Sequence, residues 1–318
     1  VVGRAVAHEA KLALVDFGRQ VDFGHAVHLT AEAVFHIVGG RGNAGLSFAQ
    51  ALKDFDREGL PCMIFANWRG FSGGQTDMFE EVLKFGSMIV DALVAYQHPI
   101  FVYIPPFAEL RGGAWVVVDH TINADVMEFY AADNARGGVL EAAGVASVKY
   151  REKDVRKTMH RLDHGLEALD KRVAGAKEAG DDAMVESLQK DISTREKMLF
   201  GVYQQVAEHF ADLHDTPGRM KAKGVIRAEI KWQESRKYFY WRLRRRITEF
   251  DLARKLASAD ESKASASSFR QTISDNLRAW FDRKGGSQKV WEDDRQMMLW
   301  LTEHNTDFSS FIDEEKGK

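Results

Sequence analysis

The sequence predicts an α/β core followed by a largely helical second half, and three observations carry that expectation. Short apolar runs bounded by turn residues, 60–67 (LPCMIFAN) and 99–105 (PIFVYIP), read as buried strands. Between them Met78, Val82, Phe85, Ile89, Leu93 and Tyr96 recur every three or four residues, the period of a helix. Near residue 150 glycine and short apolar runs give way to Lys, Arg, Glu and Asp at helical spacing.

Taken in order, residues 1–59 are the least regular, because the glycines at 39, 40, 42 and 45 break any long period. Residues 46–55 read as a helix leading into the first buried strand. A third strand-like run, 115–118, follows the Gly112-Gly113 turn, and 126–131 makes a fourth. Alternating strand and helix argues for at least locally parallel pairing. From Val155, the residues Met159, Leu162, Leu166, Leu169 and Val173 step by four and three like the seam of a coiled coil, interrupted by Gly175 and by Gly180-Asp181-Asp182. Met184, Leu188, Ile192, Leu199, Val202 and Val206 then form a second helix, so an antiparallel hairpin is expected over 151–212.

Residues 232–256 read as a further helix carrying Arg242, Arg244, Arg245 and Arg246. Such a cluster can grip phosphate groups, or it can pair with carboxylates while its stems cover apolar surface; the second reading is favoured. Residues 257–268, rich in Ser and Ala, are expected to form a mobile link before a short helix over 269–281, and the acidic tail is expected to fray. The resulting division is an α/β core at 1–150, the hairpin at 151–212 and a helical region at 213–318.

With 318 residues, 45% apolar and 29% charged, the chain can bury a sizeable core. A net charge of −3 supplies no field to hold a polyanion, so nucleic acid is not an expected partner. The single cysteine, Cys62, rules out an internal disulfide and a cysteine-rich zinc module. No run approaches the ~20 apolar residues of a membrane span and no export signal opens the chain, so an intracellular location, cytoplasmic or organellar, is expected. The first residues, Val1-Val2-Gly3-Arg4, lack a methionine and suit a processed protein or a fragment.

Two glycine-rich turns are the candidates for chemistry: residues 67–75 (NWRGFSGGQ), after the first buried strand, and 109–115 (ELRGGAW), after the second. Glycine lets a ligand approach the main chain closely. One amide from each turn can then hold an oxygen on which negative charge develops. A tight connection is the alternative use of each glycine pair. No lysine and hydroxyl residue follow the glycines as a phosphate loop requires, and no Gly-x-Ser-x-Gly elbow occurs, so Ser72 is a poor nucleophile candidate. The histidines show no metal-site spacing, and no metal is expected.

Five segments resemble the carboxyltransferase region of multidomain acetyl-CoA carboxylases: ANWRGFSGGQTDMF (66–79), IPPFAELRGGAWVVVD (104–119), TINADVMEFYAADNARGGVLE (121–141), FADLHD (210–215) and YWRLRRR (240–246). The resemblance runs from about residue 60 to about residue 254. It implies a crotonase-like βαβ superhelix, here the second of two related halves, with an inserted helical hairpin and a helical C-terminal region. It further implies transfer of a carboxyl group from N-carboxybiotin, borne on a carrier domain, to acetyl-CoA to give malonyl-CoA. By the resemblance, amides near Phe71 and at Gly113 and Ala114 hold the biotin ureido oxygen, Gly70, Gly73, Gly74 and Gly112 shape that site, and Arg111 orients the carboxylate being moved. An ion pair with Glu109 is the competing role for Arg111.

The resemblance also implies partners: the N-terminal carboxyltransferase half, a biotin carrier domain and a second copy in a homodimer or larger complex. Residues 10–45 depart from the family pattern, and the first catalytic half is absent from this chain, so it is not expected to turn over alone. A carboxyltransferase half recruited as an inactive structural subunit is the rival reading. A different crotonase-fold enzyme, such as an acyl-CoA hydratase, ranks last, because no pair of carboxylates can be placed beside a thioester.

Overall fold

The computed structural model describes residues 2–7, 10–17, 29–33, 42–71, 73–257 and 261–317. Its first part runs β1 (Val2–Ala7), β2 (Ala10–Phe17), β3 (Leu29–Ala33), α1 (Gly42–Arg57), β4 (Cys62–Ala66), α2 (Gln75–Phe79), α3 (Val82–Ala95), β5 (Ile100–Ile104), β6 (Glu109–Arg111), α4 (Gly112–Val118), β7 (Met127–Ala131) and β8 (Arg136–Gly138). There follow α5 (Ala142–Lys149), α6 (Glu152–Leu162), α7 (His164–Ala179), α8 (Asp182–Asp212), α9 (Pro217–Ala222), β9 (Ala228–Glu229) and α10 (Trp232–Leu256). The chain closes with α11 (Glu261–Ser265), α12 (Ser267–Arg283), α13 (Gln288–Glu292), α14 (Asp294–Glu303) and α15 (Asn305–Lys316).

The main sheet has the order β3-β1-β2-β4-β5-β7-β9. Strands from β2 through β9 pair in parallel, whereas β1 runs antiparallel to both β2 and β3. A second, two-stranded parallel sheet joins β6 to β8. Every residue of β4 and β5 is buried, as befits parallel strands covered on both faces. Alternation along the strands sends Phe65, Phe101, Tyr103 and Tyr130 to the side of α10, where Trp232 stacks on Tyr103 and Phe239 meets Phe101, Tyr103 and Tyr130. The Tyr103 hydroxyl donates to the Ile230 carbonyl at 2.9 Å, so the one polar atom of that buried ring is satisfied. On the other face Phe129 meets Trp115 of α4.

Several expectations need correction. Residues 115–118 are helix, not strand. Ala114, Trp115, Val117 and Val118 are buried while Val116 is 55% exposed, a helical pattern that a run of apolar residues conceals. The helix expected over 78–97 is two, because Glu81 takes a left-handed φ of 63° and breaks it; Met78, cut off from the seam, is 47% exposed. The hairpin seam also breaks, at Asp163, which caps α7 by accepting from the Leu166 amide at 2.8 Å. Leu162, Val202 and Val206 consequently point outward, and the hairpin closes on Val155, Met159 and Leu166 with Ile192, Leu199 and Tyr203 against them.

The α7–α8 turn is where the glycine was expected to put it. Gly180 is left-handed, with φ 71°, and Asp181 caps α8 through the Met184 amide. Gly175, by contrast, lies inside α7. Residues 261–265 of the expected mobile link are helical, residues 258–260 lie outside the described part, and the tail is helix α15 with Phe311 buried. That tail packs in a second cluster with Trp280, Phe281, Met297 and Leu301. The arginines of α10 behave as the favoured reading has it: Arg242 pairs with Glu128 and Asp294, Arg245 with Glu249 and Asp294, and Arg246 with Glu249 and Glu128.

His160 ties the hairpin together, with Nδ1 2.6 Å from Asp170 and Nε2 2.9 Å from Glu196, a carboxylate that Arg156 also binds. Burial would lower its pKa, but hydrogen bonds to Asp170 and Glu196 outweigh this and raise it. A raised folded pKa means stabilisation that is complete below the unfolded value of about 6.5 and is lost as pH climbs through the folded value. Amide exchange across the α6–α7 junction, corrected for intrinsic rates, is therefore expected to be faster at pH 8 than at pH 6. His160→Gln is expected to abolish that difference.

Candidate active site

Parallel strands end at one edge of the sheet, so the chain leaving β4 and the chain leaving β5 emerge side by side. The first crosses the second as an extra rung: the Trp68 amide donates to Glu109 O at 2.8 Å, and the Arg111 amide donates to Trp68 O at 2.9 Å. Gly70 has φ 122° and Gly112 φ 55°, conformations that residues with a Cβ rarely hold. A Cβ on Gly70 would lie 3.5 Å from the Gly113 nitrogen, and one on Gly112 would press to 3.2 Å from Arg69 O. The bare main chain at residue 70 thus leaves the Gly113 amide uncovered.

Gly112, Gly113 and Ala114 open α4, where a helix has no acceptor of its own for its amides. The Gly112 amide is taken by Val139 O at 2.8 Å; those of Gly113 and Ala114 come next. Phe71 wedges beside them, its ring edge-on to Trp68 at 4.8 Å between centroids and packed against Gly113 and Gly86. Gly73 and Gly74 keep ordinary backbone angles, and space is open around Gly73. Ser72 lies outside the described residues.

Arg111 is buried and held on three sides. Its Nε donates to Glu109 at 3.2 Å, and its Nη1 donates to Asp215 at 2.5 Å and to Leu140 O at 3.2 Å. Burial opposes the charge, but the hydrogen bonds and charges of Asp215 and Glu109 more than restore it, and the pKa rises. Among the described residues Nη2 has no hydrogen-bond partner, which leaves one nitrogen of the guanidinium for a ligand oxygen. Arg69 bridges Glu109 at 3.1 Å and Glu141 at 3.2 Å, so the carboxylate beside Arg111 is shared.

Asp215 is the participant that sequence reasoning missed. It stands in the 3-10 turn after α8, 104 residues from its partner, and nothing in its spacing foretells the contact. The one available sign was its place in the FADLHD segment.

Residues 41–247 match the family model described as carboxyl transferase domain. The chain belongs to that family. It is 46% identical over 276 residues to an acetyl-CoA carboxylase of Schizosaccharomyces pombe, covering 86% of this chain and 12% of that protein. To an acetyl-CoA carboxylase of Dictyostelium discoideum it is 53% identical over 245 residues, covering 76% of this chain and 10% of that protein. The chain therefore spans about one-tenth of the length of these relatives. Among solved structures, the beta subunit of P. aeruginosa geranyl-CoA carboxylase matches with TM-score 0.48 and 15% identity, covering 76% of this chain and 35% of that chain. Transcarboxylase 12S matches with TM-score 0.46 and 15% identity, covering 75% and 34%. The chain has a mixed α/β organisation, with β4, β5 and β7 parallel, helices between them, and the small β6–β8 sheet carrying the second turn. The family match begins at residue 41, and the departure expected over residues 10–45 falls almost wholly before it.

Removing one partner of a buried ion pair leaves the other charge uncompensated, at a cost of about 3 to 5 kcal/mol. Glu109 still faces Arg111, so Asp215→Ala is expected to fall at the lower end of that range, read as a drop in the urea midpoint. Asp215→Asn, which keeps an acceptor oxygen, is expected to lose less.

Proposed function

We propose that this carboxyl transferase domain is the second half of a biotin-dependent carboxyltransferase that makes malonyl-CoA from acetyl-CoA. The observation that supports it best is the convergence of the two turns, with the Gly113 amide left open by Gly70 and the Arg111 guanidinium held from behind with Nη2 free. The names of the relatives, acetyl-CoA carboxylases, support the choice of acyl group.

The residues present fit a ureido group. A side chain at residue 70 would cover the amide such an oxygen needs, and none is there. Carboxybiotin, when bound, supplies the carboxyl group and a ureido oxygen that gains negative charge as that group leaves. The amides near Phe71 and at Gly113 and Ala114 donate to that oxygen, each fixed before the reaction begins by the strand rung and the helix start. Arg111 Nη2 orients the carboxylate, which its short tether to Asp215 keeps in register with the amides. Gly73, Gly74 and Gly112 let the chain turn away without a side chain entering the site. No side-chain nucleophile is required.

The first carboxyltransferase half contributes the acyl-CoA side of the site, a carrier domain delivers the biotin, and the assembly is a dimer or larger. The test is carboxyl transfer from malonyl-CoA to free biotin by this chain together with the first half. Loss of one positioned donor costs 10²- to 10³-fold in turnover, so Arg111→Ala is expected to lower kcat by about 100-fold. Arg111→Lys, whose single nitrogen lacks the planar fork that reaches both carboxylates while presenting a second nitrogen outward, should also fall well below the wild type. No transfer by the assembled wild type would instead support a carboxyltransferase half kept as a structural subunit, and an unchanged rate for Arg111→Ala would take Arg111 out of the transfer step.

A further inference from the structure

A pocket of about 210 Å³ opens at the edge of the sheet opposite the glycine turns, between the start of β7, α10 and α12. A five-residue strand spans roughly 16 Å, so this pocket is separate from the candidate active site. Arg227, Arg242, Arg246 and Arg270 line it. They face Asp125, Glu128 and Glu249, and with Arg245 and Asp294 just behind them five arginines meet four carboxylates, which leaves one positive charge in excess.

The four arginines are not equally occupied. Arg242 is spent, with Nε and Nη2 on Glu128 and Nη1 on Asp294. Arg246 gives Nη1 to Glu249 at 2.9 Å and Nη2 to the Asp125 carbonyl, yet its buried Nε stands 3.5 Å from Glu128 without a hydrogen bond. Arg270 reaches Asp125 at 3.2 Å through Nη2, and its Nε is likewise buried without an acceptor. Among the described residues Arg227 makes no ion pair at all. A buried donor with no acceptor is costly, and two such donors in one pocket beside an unpaired guanidinium form a site for an anion.

The donors are also held in place. The guanidiniums of Arg246 and Arg270 lie over the same ring, Phe250, at 4.9 and 5.4 Å from its centroid. Arginine stacked in this way loses little further freedom on binding a planar or tetrahedral oxyanion. A pocket of this volume exceeds the roughly 30 Å³ of a single water. We infer that the pocket between β7, α10 and α12 binds a phosphate-type oxyanion, free or as the phosphate of a small ester, through Arg227, Arg246 and Arg270.

The inference does not rest on carboxyl transfer. Its test is calorimetric titration of the intact chain with inorganic phosphate and, separately, with glycerol phosphate at fixed ionic strength. Saturable binding is expected, weakened at least tenfold by Arg270→Gln and by Arg227→Gln. Arg227 is exposed and forms no ion pair, so its substitution should leave folding intact even if Arg270→Gln does not. Arg244→Gln is the control, because Arg244 stacks on Tyr240 and Trp241 outside the pocket. Tighter binding of the ester than of phosphate identifies an ester site, and equal binding a site for the free ion. Absence of saturable binding, or binding that Arg227→Gln leaves unchanged, would overturn the inference and mark the arginines as a purely structural network.

Discussion

A carboxylate in the middle of a buried strand cannot stay ionised without a cation, and Glu128 of β7 is such a carboxylate. Burial opposes its charge, but the hydrogen bonds and charge of Arg242, with Arg246 and Arg227 adding to them, hold it at about 2. That pairing pins α10 across the sheet. Once α10 is there, Trp232 and Phe239 must cover Tyr103, Phe101 and Tyr130, and the Ile230 carbonyl meets the Tyr103 hydroxyl. Arg242 and Arg245 both also reach Asp294 at 3.1 Å, so α14 and the second hydrophobic cluster are fastened to the sheet through the same few charges.

Covering both faces of a parallel sheet leaves only its edges for function. At the carboxyl edge the strands release two turns close enough to share a rung, and the glycines keep side chains out of the gap. What faces the gap there is a set of amide hydrogens fixed by the backbone, with the ion pairs of Arg111, Glu109 and Asp215 behind them. At the amino edge the same sheet meets the arginine-rich face of α10, and the character is ionic. One sheet thus presents two chemically different ends, because strand direction decides which end receives loops and which receives the helix charges.

Much of this was legible. β4, β5 and β7 follow from short apolar runs, α10 from its period, and the turns from glycines whose backbone angles at residues 70 and 112 bear out the need. That the arginines of YWRLRRR would pair with carboxylates was also expected, although which carboxylates they would meet was not. The illegible parts have physical causes. Val116 is chemically the same as its buried neighbours, so nothing in the letters distinguished a helix exposing it from a strand. The break at Glu81 places a non-glycine residue in a left-handed conformation, which propensity argues against. Asp215 acts through a contact 104 residues away, and local pattern carries no information at that range.

The contrast between Arg111 and Arg242 shows why residue type alone does not assign a role. Both are buried, and both pair with carboxylates. The difference lies in donor counting. Arg242 commits all three nitrogens, two to Glu128 and one to Asp294, and can only hold the fold together. Arg111 commits Nε and Nη1, and those commitments orient the nitrogen left over. An ion pair with Glu109 and a role at the candidate active site are not exclusive alternatives in this geometry, because the pair leaves Nη2 uncommitted. Glu109 and Asp215 neutralise the buried charge from behind and fix the plane of the guanidinium, so the remaining nitrogen has its direction set by the fold before any proposed ligand arrives.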